Sequence, residues 1–425
     1  MRITIFLFLI FLPFSLSAEI KFTIDDIGDL KPIKKPINGY ADEINFYPNP
    51  YIEDKVLFTL NSNNFYEYRD YLTAGQIKMF ESYPASFKMN IFPSQRSCAV
   101  PDEVLKLSQK GNAKLIDEGE GIEGVIGSIP FTSPSEPLHH VWNHILRYRG
   151  VNIKGGAPYY LVEYTGNKIR GAGEAIAINY WNPFIESNDN KGLQGKLMSK
   201  VTHPPRLADA GVLVIESLNA FKTPRRAWIY SPATRRVRRA PDISYDNYNT
   251  FSQGLTTVDS YDGFNGAKDR YDWSNIATEL KFMAYNNYDF YNTENEDLLT
   301  PFHINQDFIR YELVRVNTVR AELKEGKRHI LPYRTMYFDY DSHNMLAEDV
   351  YDSQMNIIRH RELPIINFYE EPMCLAIHAA TYDFLTKKYL VNNIRSSEVE
   401  KVIWRLDNPH DEKMFTPEGF KRWAK

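Results

Sequence analysis

Residues 224–273 concentrate the side chains that could do chemistry. Arg235, Arg236, Arg238 and Arg239 come first, followed by Asp259, Asp262, Asp269 and Asp272, with Phe264, Asn265, Arg270 and Trp273 among them. Neighbouring carboxylates are what glycoside and ester hydrolysis use, one as acid and the other as base or nucleophile. Closely spaced guanidinium groups suit capture of a phosphate or carboxylate. An acidic loop punctuated by Gly263 and Gly266 also invites calcium. Its order, D-x-x-D-G-x-N-G-x-x-D, lacks the alternating oxygen donors that an EF-hand sets before its glycine. His140 and His144 share one side of a helix, but Val141 follows the first where a metalloprotease has glutamate, and no third ligand is evident. No G-x-S-x-G elbow occurs, and Cys98 lacks a catalytic frame. The reading therefore expects no catalytic residue, no metal and no cofactor.

A hairpin and a long loop must hold this group. Residues 227–230 are strand-forming, 231–234 have turn chemistry, and 235–239 return as a second strand before Pro241. Alternation sets Trp228 and Tyr230 on one face of the first strand. It sets Arg236 and Arg238 on one face of the second and Arg235, Val237 and Arg239 on the other. The polar loop over 258–273 reads as either a recognition surface or a locked lid. Its aspartates either pair with the hairpin arginines and fix the loop, or leave those arginines free for an acidic head group.

Upstream, helical patterns cover 63–83 and 101–110, and Leu138, Val141, Trp142, Ile145 and Leu146 form an apolar stripe that leads into Arg147. Downstream, strands are expected over 159–165, 174–180, 212–219, 308–323, 330–339, 345–352, 355–361, 378–384 and 388–391, joined in the last part by hairpin-length turns. Helices first and antiparallel strands after imply an α+β fold, a large curved sheet partly covered by helices.

The first residues read as a secretory leader. Met1 and Arg2 precede an apolar run over 3–14 and a small-residue cleavage site, and the run is shorter than the ~20 residues of a spanning helix. The expected organisation is leader 1–18, extended arm 19–56 and one domain over 57–425. With 50 basic against 54 acidic residues, a net charge of −4, and export besides, nucleic acid is not an expected partner. Cys98 and Cys374 are the only cysteines, and either a disulfide or two inert thiols fits them.

The runs WNHILRYRG (142–150), 205–241, VDSYDGFNGAKDRYDW (258–273), INQDFIRYELVRV (304–316) and GKRHILPYRTMYFDYDS (326–342) closely resemble the bacterial DUF1329 family. Weaker similarity covers 58–84, 382–391 and 415–420, so most of the chain takes part. The arm, KPIKKPINGYADEI, departs from the family's usual N-terminal run. The resemblance implies an envelope protein like the outer-membrane lipoprotein-sorting proteins LolA and LolB, with an incompletely closed antiparallel β-barrel wrapped around helices and a hydrophobic cavity. It implies a periplasmic location, peripheral to the outer membrane, and association with an RND-type inner-membrane exporter and an outer-membrane protein. No catalytic residues come with it.

Three readings follow: a monomeric, non-enzymatic carrier of a lipid-like ligand, a secreted hydrolase acting through paired carboxylates, and a ligand-free structural protein. The first is preferred. Its candidate ligand-binding residues are Trp142, Arg147, Trp228, Tyr230, Arg235, Arg236, Arg238, Arg239, Phe264, Asn265, Arg270 and Trp273.

Overall fold

The computed structural model describes residues 20–31, 48–149, 152–179, 192–240, 245–249, 252–369, 373–376, 379–392, 403–405 and 411–425. The expected leader lies outside them, as does most of the basic run that follows Lys31.

The chain opens with β1 (Phe58–Leu60), α1 (Ala74–Ser82), β2 (Met89–Phe92), α2 (Asp102–Ser108), the small hairpin β3 (Lys114–Ile116) and β4 (Gly121–Glu123), and α3 (Pro137–Leu146). A meander follows as β5 (Asn152–Val162), β6 (Lys168–Asn179), β7 (Leu193–His203), β8 (Gly211–Ser217), β9 (Arg226–Ser231) and β10 (Arg236–Arg239). Next come β11 (Tyr271–Ala284), the short helices α4 (Tyr288–Asn292) and α5 (Asn295–Leu298), β12 (Arg310–Leu323), β13 (Tyr333–Asp339), β14 (Met345–Tyr351) and β15 (Ile357–Glu362). The small pair β16 (Ile366–Phe368) and β17 (Met373–Leu375) precedes β18 (Ala379–Asp383), β19 (Lys388–Asn392), β20 (Ile403–Arg405) and α6 (Pro417–Ala424).

Among the described residues sixteen strands join one sheet, ordered β1-β2-β12-β13-β14-β15-β18-β19-β5-β6-β7-β8-β9-β10. β11 adds to β12 and β20 to β5. All pairings are antiparallel except β2 with β12. β10 and β11 each pair on one side only among the described residues, so the sheet curves without closing, and the fold is α+β as expected.

The helices begin where local chemistry allows. The pattern over 63–83 divides into a 3-10 segment, Phe65–Tyr71, and α1, because Thr73 caps a new start. Its side chain accepts from Gln76 N–H at 3.1 Å, and the Gln76 side chain returns to Thr73 N–H at 3.0 Å. α1 seats on the sheet through Gly75, where a Cβ would stand 2.0 Å from His360 Nδ1, so only glycine lets the helix approach this closely. α3 buries the stripe read from its sequence. Val141, Trp142, Ile145 and Leu146 pack with Val319, Met336, Phe338 and Met345 on the other side of the sheet from His360. Burying side chains of this size contributes roughly 1.5–3 kcal/mol each.

Two long strands were not expected. β7 carries Gly195, Lys196 and Lys200, which weaken its strand pattern. β11 begins at Tyr271, inside the stretch read as loop, and residues 274–278 are exposed on both faces, so no polar–apolar alternation marks them. β5 and β6 also start earlier than expected, through Gly155, Gly156 and Pro158 and through Gly171 and Gly173. Cys98 and Cys374 are joined in a disulfide that ties the region before α2 to β17.

Candidate functional site

The acidic loop is held from within. Asp259 is buried, with Oδ2 2.5 Å from Arg334 Nη1 and 3.2 Å from His329 Nε2, and its Oδ1 accepts from Thr257 Oγ1. Burial alone would raise that carboxyl, yet Arg334 and His329 outweigh it and hold it far below the usual carboxylate range. Asp262 binds Arg149 and lies 2.6 Å from Arg147 Nη2, while Arg147 Nε donates to Asn344 Oδ1 at 2.7 Å. Asp269 lies 2.8 Å from Lys327 Nζ. The loop bends at Gly263, whose φ is +85° and where a Cβ would stand 2.9 Å from His144 Nε2. That nitrogen donates to the Asp262 carbonyl at 2.7 Å, and His144 Nδ1 accepts from Met345 N–H at 3.1 Å. Burial keeps this imidazole well below the ordinary histidine range.

Several residues expected on a binding surface are tied to other parts of the protein, some of them buried and Asn265, Arg270 and Trp273 half-buried. Trp142 is buried under α3, donates from Nε1 to the Gly119 carbonyl at 3.0 Å and has Lys268 Nζ 4.4 Å from its ring centre. Arg147 is equally buried. Phe264 is buried between Arg334, 5.0 Å from its ring, and Trp273, whose ring meets it edge-on at 5.6 Å. Trp273 Nε1 donates to the Lys268 carbonyl at 2.8 Å. Asn265 donates to Glu216 and accepts from Gln194, and Arg270 donates to the Arg328 carbonyl at 2.9 Å and lies 3.4 Å from Asp246. Tyr230 is buried against Phe420 of α6, with rings 6.5 Å apart. Residue type had suggested recognition for all of these. Their partners come from distant strands, which spacing does not encode.

The hairpin arginines do not meet the aspartates. Arg235 turns the chain with φ +53°, and Arg236, Arg238 and Arg239 lie on β10, the edge strand. All four are exposed, and among the described residues none of their side chains has a hydrogen bond or ion pair. Register sets their sides: Arg238 lies opposite Ile229 and Arg236 opposite Ser231, whereas Arg239 lies opposite Trp228, with Val237 and Tyr230 on the side that α6 covers.

The side bearing Arg236 and Arg238 has a chemistry of its own. Crossing the meander from Arg238, the neighbours are Ile229, Val212, Ser199, Ala175 and Gly155; the adjacent row reads Ala227, Val214, Leu197 and Ala177. Ala177 and Ala227 are buried, Leu197, Val212 and Val214 half-buried, and Ile229 is 42% exposed. None of these residues joins an apolar core cluster among the described residues. The two rows carry no charge until Arg238. At one end stands a polar wall in which Glu216, next on this side after Val214, binds Arg225 and accepts from Asn265. Towards β5, Tyr159 lies across Gly171, and Leu161 packs with Leu255 and Leu390. Through Leu390, Thr381, Arg361, Glu348 and Met336 the same side continues to the one that α3 covers. Sequence reading missed this aliphatic surface. Its signal was the alternation Gly171, Gly173, Ala175, Ala177 against Ala172, Glu174, Ile176, Ile178, and the strand had been started too late to include it.

Among the described residues no three His, Cys, Asp or Glu side chains converge as a metal site would, and no helix is long and apolar enough to cross a membrane.

A family model described as a protein of unknown function (DUF1329) matches residues 59–421. An uncharacterized protein of Pseudomonas aeruginosa is 34% identical over 394 residues, covering 90% of this chain and 85% of the relative. Among solved structures, a DUF1329 family protein from Desulfovibrio piger aligns with a TM-score of 0.44 at 12% identity, covering 64% of this chain and 92% of the other. A LolA superfamily protein from Nitrosomonas europaea aligns with a TM-score of 0.39 at 9% identity, covering 67% and 98%.

Proposed function

The chain belongs to the DUF1329 family, and we propose that it is a periplasmic, non-enzymatic carrier that holds the acyl chain of an amphiphile on the aliphatic side of β6–β9. One observation carries the reading: a broad run of small and branched aliphatic side chains that no described helix or core cluster covers, bordered by free arginines on the same side. Each methylene buried there contributes about 0.8 kcal/mol, so a long chain is retained without specific polar contacts. Arg236 and Arg238 at the border suit a phosphate or carboxylate head group. The Cys98–Cys374 disulfide agrees with an oxidising compartment, and with the leader expected over 1–18 it supports export. Residues 57–425 would then act as one carrier domain. An accessory role beside an RND-type exporter and an outer-membrane protein rests on the family resemblance, and cross-linking in the periplasm would test it.

The hydrolase reading is the less favoured, since three of the four loop carboxylates that suggested it, Asp259, Asp262 and Asp269, are paired with arginine, lysine or histidine side chains, and Asp272 stands exposed apart from them. The test of the carrier is native mass spectrometry of protein purified from its own periplasm, followed by solvent extraction. A stoichiometric amphiphile that disappears in Val212→Asp and Val214→Asp variants of unchanged thermal stability is the expected result. A clean apo mass for the parent protein would overturn the reading in favour of a ligand-free structural role.

A further inference from the structure

The α6 side of the arginine hairpin has no part in holding the acyl chain, yet it is the more basic side. α6 is capped by Thr416, whose side chain accepts from Gly419 N–H at 3.1 Å, and it buries Phe420 and Ala424 against the sheet. This packing leaves Lys421 and Arg422 exposed on the helix that covers the β9–β10 hairpin, and the hairpin itself exposes Arg239 and Arg235. All four cations are exposed and, among the described residues, their side chains are without a hydrogen bond or ion pair. Of the carboxylates on this side, Glu412 pairs with Lys196 at 3.1 Å and Glu174 with Lys200 at 3.8 Å, and Glu418 of α6 is the exposed one set against the four cations. In a chain of net charge −4, four exposed cations against one exposed carboxylate on α6 and its hairpin form a local departure from the mean. Two half-buried indoles, Trp228 and Trp423, flank them, and Lys200 Nζ lies 4.9 Å from the Trp423 ring centre. Free cations around partly exposed tryptophans match the head-group layer of a bilayer, where indole rings settle and anionic phosphates concentrate basic side chains.

We propose that Arg235, Arg239, Lys421 and Arg422 form a docking surface for a membrane rich in anionic phospholipid. The inference rests on the carrier reading for its purpose, since β10 separates this surface from the aliphatic side. A protein docked by the α6 side of its edge strand presents the border of that aliphatic side, with Arg236 and Arg238, to the lipid head groups. Unlike a contact with one protein partner, such docking follows the anionic fraction of the bilayer and weakens steeply with salt.

The experiment is co-sedimentation of the full chain with phosphatidylcholine vesicles and with vesicles containing phosphatidylglycerol, at low and high salt. Binding to the second kind alone, abolished by salt, is expected. The combined variant Arg235→Gln, Arg239→Gln, Lys421→Gln, Arg422→Gln should lose about fivefold in affinity per cation, several hundredfold in all. A control variant, Lys106→Gln with Lys110→Gln, removes exposed cations elsewhere and should bind as the parent does. Uptake of a fluorescent fatty acid in vesicle-free solution, measured in parallel, should be unchanged in the four-site variant. Equal vesicle binding by parent and four-site variant, or no binding to anionic vesicles, overturns the docking surface. Photo-cross-linking from position 239 in the periplasm that captures a protein and no lipid also overturns it. Fatty-acid uptake without vesicle binding refutes docking and leaves the carrier standing; vesicle binding without uptake does the reverse.

Discussion

The two halves of residues 224–273 look equally charged and are used in opposite ways. In the loop, each of Asp259, Asp262 and Asp269 has a cation at its side, and the first is buried together with Arg334. In the hairpin, four arginines stand exposed with no such partner among the described residues. Charge density therefore does not distinguish a strut from a recognition surface. Burial and the identity of the partner do, because a charge in the interior is tolerated only when it is paired. The loop's acids hold a lid over α3 and the central strands, and the hairpin's cations remain available.

Removing one member of the buried set should have the largest effect. Asp259→Ala leaves Arg334 and His329 without their shared carboxylate and should cost about 3–5 kcal/mol in urea unfolding. A loss below about 1 kcal/mol would mean that the loop is not held by its acids. A pH titration should separate the halves next. Burial lowers His140 and His343 to about 4 and holds His144 well below the ordinary histidine range, all around α3 and the loop. An unfolded chain takes up these protons near pH ~6.5 while the folded one does not. These groups' contribution is thus complete above that pH and lost as the pH falls towards 4, and unfolding midpoints should drop accordingly. His360 has the opposite sign. Burial would lower it, but the hydrogen-bonded Asp349 and the neighbouring Glu362 carboxylate raise it to about 9, so its contribution holds below pH ~6.5 and fades as the pH rises through 9. A midpoint flat on both flanks would sink these assignments.

Gly263→Ala should act more mildly, costing about 1–2 kcal/mol, since φ is positive there and His144 stands behind the missing Cβ. The smallest effect on stability belongs to the hairpin. Arg236→Glu with Arg238→Glu should move the thermal midpoint by an amount equivalent to less than about 0.5 kcal/mol, yet weaken retention of an acidic amphiphile. A large stability loss in that double variant would make these arginines struts after all.

Much of the architecture was legible in the residues. α3 was announced by its apolar stripe, and the β9–β10 hairpin by strand formers around turn chemistry, with the sides of Arg236, Arg238 and Arg239 correctly assigned by alternation. β13, β14 and β15 were joined by recognisable turns. β7 and β11 were not legible, because their side chains are polar, small or exposed on both faces, and their strand state is imposed by the neighbours they pair with. Of the candidate site, the free arginines were recognised by type. The aliphatic side beside them was hidden in glycine- and alanine-rich β6 and in a β7 that pattern did not reveal.

What the sequence determined alone is local and periodic: helix caps, strand alternation, turn positions, family membership and the side on which each hairpin residue sits. Backbone geometry repeats over two or four residues and needs no distant information. Tertiary structure decided which charges were already taken. Arg334 lies 75 residues from Asp259 and Arg147 lies 115 from Asp262, separations at which no spacing rule operates. Whether a charged side chain is spent inside the protein or offered outside depends on what the sheet's curvature brings against it, and that emerges only when the whole chain is packed.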